Sequence, residues 1–427
     1  MNLTKEQRAW SMYDWANSVY SLVISTALFP VYYESVTTSS ALGDKIELFG
    51  TMWTNTVIYS YFISASFLTI AILSPYLAAM ADRTGRVRMF MKLFMVMGSL
   101  TCMSMFFFTE DWPELGLLLA YLASIGFAGS LVFYNSMLPL IAEKKWQDRL
   151  SARGFMMGYI GSSLLLIGLL VLITFWQEVG FSSKGMATRT AFVLTGLWWL
   201  LFGLRSINGM PKDEVKDHFE YKLFWSSWKE LIKVFREAIK IRPIKRFLGA
   251  FFFYNAGMQT IIYIASIFGS KVLGMETTQL IMTILIIQFI AVAGSYVFSR
   301  FSERSGNLVA LSWSVGVWVL VCVGAFYVNT AAQFYVLAGV VGLVMGGMQS
   351  LSRSTYGKLL PKNDDPTTFF SFYDVLEKLA TMSGMFAVGL IESITGDLRF
   401  SALLMSAFFF LGLIQLARLR NQGIAWR

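Results

Sequence analysis

Long apolar segments follow one another along almost the whole chain, and each can cross a lipid bilayer as a helix, which takes about 20 apolar residues. Hydrophobic residues make up 56% of the sequence and charged residues 14%, whereas a soluble domain has roughly 45–50% and 25%. The sequence therefore predicts an all-α membrane protein with twelve transmembrane helices, called spans 1 to 12 below. They lie near residues 9–34, 53–80, 89–109, 115–142, 151–176, 188–207, 245–270, 277–301, 308–328, 333–360, 367–392 and 400–418.

A few single residues narrow the class of protein. The polar start, Met1 to Arg8, precedes an apolar run that is too long for a signal peptide, so we expect that run to be retained as span 1. Cys102 and Cys322 lie inside spans, which argues against a disulfide framework and against a cysteine metal site. The only histidine, His218, falls in a hydrophilic segment and is therefore excluded as a proton relay within the membrane. Neither a metal nor a cofactor is indicated.

The net charge of +9 is explained by where the basic residues lie. If the N-terminus faces the cytoplasm, most of the 35 Lys and Arg residues fall on that side. The basic residues on the opposite side are Lys45, Lys184, Arg189, Lys271 and Arg399. This asymmetry follows the positive-inside rule, so we expect a multi-pass protein of the bacterial inner membrane with both termini in the cytoplasm. The partners expected are membrane lipids and a small-molecule substrate, not nucleic acid.

One long hydrophilic segment divides the spans into six and six. The predicted organisation is an N-terminal six-helix bundle at 1–207, a cytoplasmic linker at 208–244 and a C-terminal six-helix bundle at 245–427. Within the linker, apolar and basic residues alternate at helical spacing, which predicts an amphipathic helix on the inner membrane surface. The apolar positions are Phe224, Trp228, Leu231, Ile232, Phe235 and Ile239, and the basic ones are Lys229, Lys233, Arg236 and Lys240.

A short charged loop occurs twice, at equivalent points of the two halves. Ala81 to Arg86 reads Ala-Asp-Arg-Thr-Gly-Arg between spans 2 and 3, and Phe301 to Gly306 reads Phe-Ser-Glu-Arg-Ser-Gly between spans 8 and 9. Internal repeats of this kind are typical of membrane transporters. Weaker similarities relate span 1 to span 7 and span 4 to span 10. The sequence thus predicts a transporter built from two related halves.

Specific motifs carry a resemblance to a known family. Ala78-x-x-x-Asp82-Arg83-Thr84-Gly85-Arg86 resembles the loop 2–3 signature of the major facilitator superfamily. Three segments look like its Atg22/UMF1 branch, the vacuole-effluxer-like transporters. They are Tyr13-Asp14-Trp15-Ala16-Asn17-Ser18, Phe133-Tyr134-Asn135-Ser136-x-Leu138-Pro139 and Gln349-Ser350-Leu351-Ser352-Arg353-Ser354.

This resemblance implies a fold and a way of working. The fold is that of the major facilitator superfamily, with two pseudo-symmetric six-helix bundles, alternating access, and spans 1, 4, 7 and 10 around a central cavity. The resemblance also favours a monomer. In eukaryotic members of the branch the implied role is amino-acid efflux from the vacuole. For this chain, the resemblance implies transport, and it suggests an amino acid as the substrate.

The repeated loop is the predicted gate. By resemblance, Asp82 joins a charge network that holds the two halves together on the cytoplasmic side. Gly85 permits a tight turn, while Arg83 and Arg86 lie where the helix dipole and lipid headgroups favour cations. Glu303 and Arg304 form the weaker second copy. For the arginines, a plain topology signal remains the alternative.

Polar side chains within the spans are the predicted substrate site. A buried acid such as Asp14 is expensive in a membrane unless it is paired or protonated, so it is a functional candidate by default, and Arg353 is its expected cation. The candidate substrate-binding residues are Tyr13, Asp14, Asn17, Tyr134, Asn135, Tyr254, Asn255, Gln259, Gln349, Arg353, Tyr373 and Glu377. For the amide side chains, simple hydrogen bonding between helices is the alternative.

Span 11 contains three charged residues within five positions. Asp374 and Lys378 are four residues apart, a spacing that allows an ion pair and leaves Glu377 to another partner. Either span 11 lines a water-filled cavity or the helix begins later than residue 367. In the first case, Asp14, Asp374 and Glu377 are candidates to carry a coupling proton, because burial favours the protonated form of a carboxyl group.

These observations favour a secondary active transporter for a small polar or zwitterionic solute, such as an amino acid or a related metabolite, with a proton as the candidate coupling ion. Transport of a larger amphiphilic or lipid-linked metabolite is the alternative, which the aromatic residues of the cavity helices favour. A non-transporting receptor is a remote alternative. An enzyme is not expected, since the spans show no nucleophile with a base and no nucleotide loop.

Overall fold

The computed structural model describes residues 3–38, 45–48, 50–216, 221–361, 366–395 and 397–420. Long helices make up most of these residues, joined by short connections. His218 lies outside the described residues. The helices correspond one by one to the predicted spans, so the span numbers are kept.

The N-terminal half contains spans 1 to 6. Span 1 is one continuous helical path with a π-helical middle, because its backbone runs from an α-helix through a π-helix into a second α-helix. The helices are Lys5–Val19, Tyr20–Leu28 (π) and Phe29–Thr37 for span 1, Asn55–Thr84 for span 2, Val87–Ser104 with the 3-10 turn Met105–Phe107 for span 3, Pro113–Ser136 and Leu138–Ile141 for span 4, Lys144–Thr174 followed by Trp176–Val179 for span 5, and Lys184–Gly209 for span 6.

The C-terminal half repeats this arrangement after the linker. A helix in the linker, Tyr221–Lys240, leads to span 7. The spans are Arg242–Leu273 (span 7), Thr277–Ser305 (span 8), Asn307–Tyr327 (span 9), Ala331–Leu359 (span 10), Pro366–Thr395 (span 11) and Leu398–Arg420 (span 12).

Two spans differ from the others, one in helical continuity and one in charge. Within the described part of the chain, ten helices are long and apolar enough to cross a membrane. The two remaining spans are span 1, which is divided by its π-helical middle, and span 11, which carries three charged residues. Both also contain candidate site residues. Both departures therefore coincide with the part of the protein where function is expected.

The predicted helical fold is confirmed, with one local addition and two corrections at the starts of spans. The loop between spans 1 and 2 holds a short two-stranded antiparallel hairpin, β1 (Lys45–Leu48) and β2 (Thr51–Thr54), which the sequence did not indicate because four-residue strands leave no clear alternation. Span 5 begins at Lys144 rather than near 151, since its polar first turns are invisible to hydropathy. Span 11 begins at Pro366, so the alternative of a later start is wrong.

Each half has its own hydrophobic core. Buried residues from Trp10 to Met210 form one contiguous cluster, and buried residues from Val234 to Leu419, together with Tyr159, form another. The bundles meet through span 2 against span 11 and through span 5 against spans 8 and 10. The contacts of span 2 with span 11 and of span 8 with span 5 are related by the pseudo-symmetry of the halves.

The linker docks on the loop between spans 2 and 3. Asp213 accepts hydrogen bonds from the backbone N–H groups of Arg88 (2.7 Å) and Met89 (3.0 Å), at the start of span 3. The backbone N–H of Lys216 donates to the Thr84 carbonyl at 3.1 Å. Linker and loop 2–3 therefore lie at one end of the molecule, called the linker end below.

The amphipathic linker helix is present at Tyr221–Lys240. Val234 and Ala238 are buried, and the Phe235 ring contacts the Phe372 ring of span 11 with 5.4 Å between centroids. Three of the predicted apolar side chains, Ile232, Phe235 and Ile239, are exposed. The side chains of Phe224, Trp228 and Leu231 lie outside the described part. The proposed contact with lipid stays a prediction.

Candidate transport site

A buried ion pair joins the two bundles. Arg353 of span 10 places both Nη1 and Nη2 at 3.2 Å from Oδ2 of Asp14 in span 1. The Tyr134 hydroxyl of span 4 donates to the same oxygen at 2.6 Å. Asp14 and Arg353 are 4% and 3% exposed. Two charges can be buried to this extent because they neutralise each other and are hydrogen-bonded.

The remaining donors of Arg353 are also satisfied. Its Nε donates to the Ser151 hydroxyl at 2.9 Å and its Nη2 to the Ser151 carbonyl at 2.8 Å. Its guanidinium carbon lies 4.2 Å from the centre of the Phe155 ring and 4.7 Å from that of Trp10. Contacts of this kind hold a planar guanidinium in one orientation. The sequence carries no signal that sets Ser151 apart from the other serines of the spans.

Gly154 makes room for the ion pair. A Cβ built at this position of span 5 would overlap Oδ2 of Asp14 and come within 2.9 Å of Nη2 of Arg353. Only glycine lets the helix backbone approach both charges so closely. The sequence alone offered no reason to separate Gly154 from the other glycines of the spans.

A cavity of about 350 Å³ extends from this ion pair between the two bundles. It runs toward the end opposite the linker, where it is lined by Phe67, Phe268, Phe334 and others. The predicted site residues that line it are Asp14, Asn17, Asn135, Asn255, Gln259, Gln349, Arg353, Tyr373 and Glu377. Besides spans 1, 4, 7 and 10, its wall includes residues of spans 2, 5, 8, 9, 11 and 12.

Three predicted tyrosines lie outside the cavity wall. Tyr13 is fully buried within the N-terminal core. Tyr134 is stacked on Trp10, with 4.5 Å between ring centroids, and its hydroxyl is bound to Asp14. The Tyr254 hydroxyl shares a hydrogen bond of 2.8 Å with the Ser352 hydroxyl. These rings pack helices together, so the structure gives them no surface on which a substrate would stack.

The charges of span 11 form two separate contacts. Lys378 donates to Asp374, as their spacing predicts. Glu377 instead accepts a hydrogen bond from Gln259 Nε2 of span 7 at 3.1 Å. Glu377 and Lys378 line the cavity, whereas Asp374 lies behind its wall. The structure thus brings together two predicted site residues, Gln259 of span 7 and Glu377 of span 11. Asp374 is instead the partner of Lys378.

Asp82 caps the start of span 11. Its Oδ2 accepts from the backbone N–H of Thr368 at 2.7 Å and from the Thr368 hydroxyl at 2.9 Å, and its Oδ1 accepts from the backbone N–H of Thr367 at 3.3 Å. A carboxylate is favourable there because the N-terminus of a helix is partially positive. Asp82 belongs to one bundle and span 11 to the other, so this cap connects them.

Gly85 allows the loop that carries Asp82 to turn. Its φ is +65°, in the left-handed region that glycine tolerates. A Cβ at this position would also overlap the backbone carbonyl of Glu214 in the linker. Arg83 is exposed and Arg86 is half-buried. The second copy of the loop also contains a glycine of positive φ, Gly306 at +86°.

A second polar cluster joins span 5 to the C-terminal bundle. Asp148 accepts hydrogen bonds from Lys358 Nζ (2.6 Å), Asn307 Nδ2 (2.7 Å) and the Ser302 hydroxyl (3.0 Å). Next to it, Arg149 forms an ion pair with Glu303, the predicted gate residue. The Nε of Arg149 donates to one carboxylate oxygen of Glu303, and its Nη2 donates to the other. Arg304 is exposed. The sequence contained a signal for Asp148, since it is the one acid in the otherwise basic loop 4–5 segment 144–153.

The described hydrogen bonds between the two bundles all lie between the linker end and the middle of the spans. They involve Asp14, Asp82, Asn135, Ser136, Asp148, Arg149, Ser151 and Tyr159 on one side and Ser302, Glu303, Asn307, Gln349, Ser350, Arg353, Lys358, Thr367 and Thr368 on the other. The cavity begins where these contacts end. The bundles are therefore closed against each other at the linker end.

Solved structures share this architecture. The chain superposes on the human organic anion transporter MFSD10 (TETRAN) with a TM-score of 0.71 at 13% identity, covering 96% of this chain and 99% of that one. A bacterial homologue of the iron transporter ferroportin in its outward-facing state matches with a TM-score of 0.68 at 13% identity, covering 98% of both chains. These likenesses show the fold, and the sequence relatives described next show the class, a membrane transporter of the major facilitator superfamily type.

Sequence relatives place the chain within this class. The family model described as "Vacuole effluxer Atg22 like" matches residues 2–422. The uncharacterized MFS-type transporter YxiO of Bacillus subtilis (strain 168) is 32% identical, over 97% of this chain and 94% of YxiO. Autophagy-related protein 22 of Coccidioides immitis (strain RS) is 24% identical, over 96% of this chain and 84% of that protein. The chain belongs to the vacuole effluxer Atg22-like family, as its motifs predicted.

Proposed function

We propose that this protein is a secondary active transporter that moves a small polar or zwitterionic solute, such as an amino acid, by alternating access. The observation that carries the proposal is the cavity of about 350 Å³, to which both bundles contribute charged and amide side chains. Ligand sites in proteins measure roughly 300–1,000 Å³. The cavity lies at the small end of that range, which supports a small solute.

The position of the ion pair supports alternating access. Asp14 and Arg353 form the floor of the cavity, and the caps and ion pairs at the linker end lie beyond them. For the solute to leave at that end, these contacts have to break. A solute or a proton that competes for Asp14 or Arg353 would bias the protein toward the opposite conformation, because a ligand shifts an equilibrium only by its differential affinity. The two side chains are also complementary to the carboxylate and ammonium groups of a zwitterion.

A coupling proton has three candidate carriers, Asp14, Asp374 and Glu377. Glu377 is the best placed of them, since it lines the cavity and its carboxylate is bonded to an amide rather than to a cation. Ionisable side chains in transport pathways often serve this purpose.

The proposed location is the cytoplasmic membrane of a bacterium, with the linker end and both termini in the cytoplasm. Support comes from the distribution of Lys and Arg in the sequence. We further propose that the protein works as a monomer, because its cavity is formed within a single chain.

Transport of a larger amphiphile is the second candidate. One observation favours it: much of the cavity wall is apolar, with Phe67, Phe127, Phe251 and Phe268 among its residues. The cavity volume argues against it in the conformation described. A lipid-linked cargo would need an opening between spans through which its chain remains in the bilayer.

Uptake by purified protein in liposomes tests the proposal. Radiolabelled amino acids are supplied with and without an inward proton gradient, and empty liposomes give the background. We expect flux of at least one amino acid, and a proton gradient that raises it. Absence of flux for every amino acid under both conditions would remove this substrate class, and movement of a fluorescent lipid between leaflets would support the amphiphile instead.

A further inference from the structure

Among the described residues, four charged side chains line the cavity, and three of them have an ion-pair partner within 4.0 Å. Asp14 is paired with Arg353, and Lys378 is paired with Asp374 behind the wall. Glu377 is the remaining charge. Among the described residues, its carboxylate receives a hydrogen bond only from Gln259, and no Lys or Arg nitrogen lies within 4.0 Å of it. A carboxylate in such a place attracts a cation or a proton.

Lys378 lies outside ion-pair distance of Glu377, although it is the next residue in the sequence. Adjacent residues of a helix point in different directions, and the Lys378 ammonium group is engaged by Asp374 one turn earlier. The carboxyl group of Glu377 therefore lines the cavity without an ion-pair partner of its own.

An unused donor lies one helical turn from Gln259, the residue that binds this acid. Asn255 and Gln259 are four residues apart on span 7, so their side chains are neighbours on one face of the helix. Asn255 lines the cavity and is only 2% exposed. Its Nδ2 has no hydrogen-bond partner within the described part of the chain. Buried donors are normally satisfied, so this one points to a ligand that is an acceptor.

We propose that the wall formed by spans 7 and 11 recognises an amino acid, with its ammonium group on Glu377 and its carboxylate on the Asn255 amide. This inference rests on the proposed transport function. It assigns recognition to groups that are free in the structure, whereas Asp14 and Arg353 already satisfy each other. The latter pair then serves to close the floor of the cavity.

The inference predicts which analogues the protein accepts. The unmodified amino acid offers both a cation for Glu377 and an anion for Asn255. The carboxamide keeps the cation, while the N-acetyl derivative loses it. We therefore expect the free and carboxamide forms to bind and the N-acetyl form to fail, because an acylated nitrogen carries no charge.

Binding to purified wild-type protein is measured by thermal shift and by competition against uptake in liposomes. The probes are alanine, leucine, glutamine and arginine, each as the free amino acid, the carboxamide and the N-acetyl derivative. A ligand that binds the folded state raises its melting temperature.

Two variants and one control localise the effect. E377Q keeps the volume of the side chain and its ability to accept from Gln259, and it should weaken binding of the amine-bearing probes about tenfold or more. N255A should weaken binding of the free amino acids more than that of the carboxamides. The control is S383A, which removes a hydroxyl from the same helix at a position outside the cavity wall, and should leave binding unchanged.

The outcomes separate this inference from the broader proposal. Wild-type protein that transports amino acids but binds N-acetyl forms equally well, or E377Q with undiminished affinity and a normal melting temperature, would overturn the inference and leave the transport function standing. Wild-type protein that binds and transports none of the free amino acids would overturn both.

Discussion

Arg353 and Asp14 are 339 residues apart in the sequence, yet Arg353 Nη2 lies 3.2 Å from Asp14 Oδ2. One residue belongs to span 10 and the other to span 1, so this contact couples the two bundles directly. Because both side chains are almost fully buried, each charge depends mainly on the other for compensation. The pair therefore stabilises the conformation that is closed at the linker end, provided that both partners are present.

Removing one partner of this pair is expected to be costly. Arg353→Met leaves Asp14 buried without a cation, which costs about 3–5 kcal/mol, and should abolish transport. The double variant Asp14→Asn with Arg353→Met should recover part of the lost stability, since no unpaired charge remains. Thermal unfolding of the wild type, both single variants and the double variant measures the coupling. Strictly additive effects would contradict a direct interaction.

Gly154→Ala should disturb the same pair from a third helix. The added methyl group would overlap Asp14 Oδ2, so the charges have to separate or span 5 has to move away. We expect transport to fall at least tenfold and the melting temperature to drop. Gly168→Ala in the same helix is the matched control, because a Cβ there meets nothing within 4 Å. Equal behaviour of the two variants would show that Gly154 is not a contact position.

Loss of the Asp82 cap should change the conformational equilibrium. Asp82→Ala removes the acceptor for the first amides of span 11, and a helix cap contributes about 0.5–2 kcal/mol. Asp213→Ala is the control, since the hydrogen bonds described for Asp213 cap span 3 from the linker and reach no residue of the other bundle. Both variants should lose similar stability. Only Asp82→Ala should separate the bundles at the linker end.

That separation is measurable as a distance. Cysteines introduced at the exposed positions Lys145 and Arg304, one in each bundle, accept spectroscopic labels. The native Cys102 and Cys322 are buried. A longer label distance in the Asp82→Ala protein alone is the expected result. An unchanged distance in both variants would argue against a latch at this loop.

Substitutions at two neighbouring residues of span 5, Asp148 and Arg149, should differ in their effect on stability. Asp148 is 2% exposed and holds three partners of the other bundle, so Asp148→Ala should destabilise the protein by several kcal/mol through its unpaired Lys358. The Arg149–Glu303 pair is partly exposed, and such pairs contribute about 0–1 kcal/mol. Arg149→Gln should therefore change the melting temperature little. Thermal unfolding and initial uptake rates compare the two variants.

Some contacts were predictable because they are local or because the chemistry leaves few choices. The four-residue spacing of Asp374 and Lys378 implied their pair, and a buried acid such as Asp14 needed a cation at the same depth, for which Arg353 was the natural choice. The contacts of Asp148 and Ser151 were missed, since polar turns at the start of span 5 carry no hydropathy signal. They are buried by the other bundle, a fact that no local pattern encodes.

By itself, the sequence determined the class of protein, the approximate bounds of the twelve spans and their division into two halves, because an apolar segment of this length has only the bilayer as a stable environment. Tertiary structure decided which polar side chains face the cavity. Tyr13, Tyr134 and Tyr254 turned into helix contacts, while Glu377 and Asn255 were left on the wall. The direction in which each side chain points depends on the rotation of its helix, and that rotation is set by packing between helices far apart in the chain.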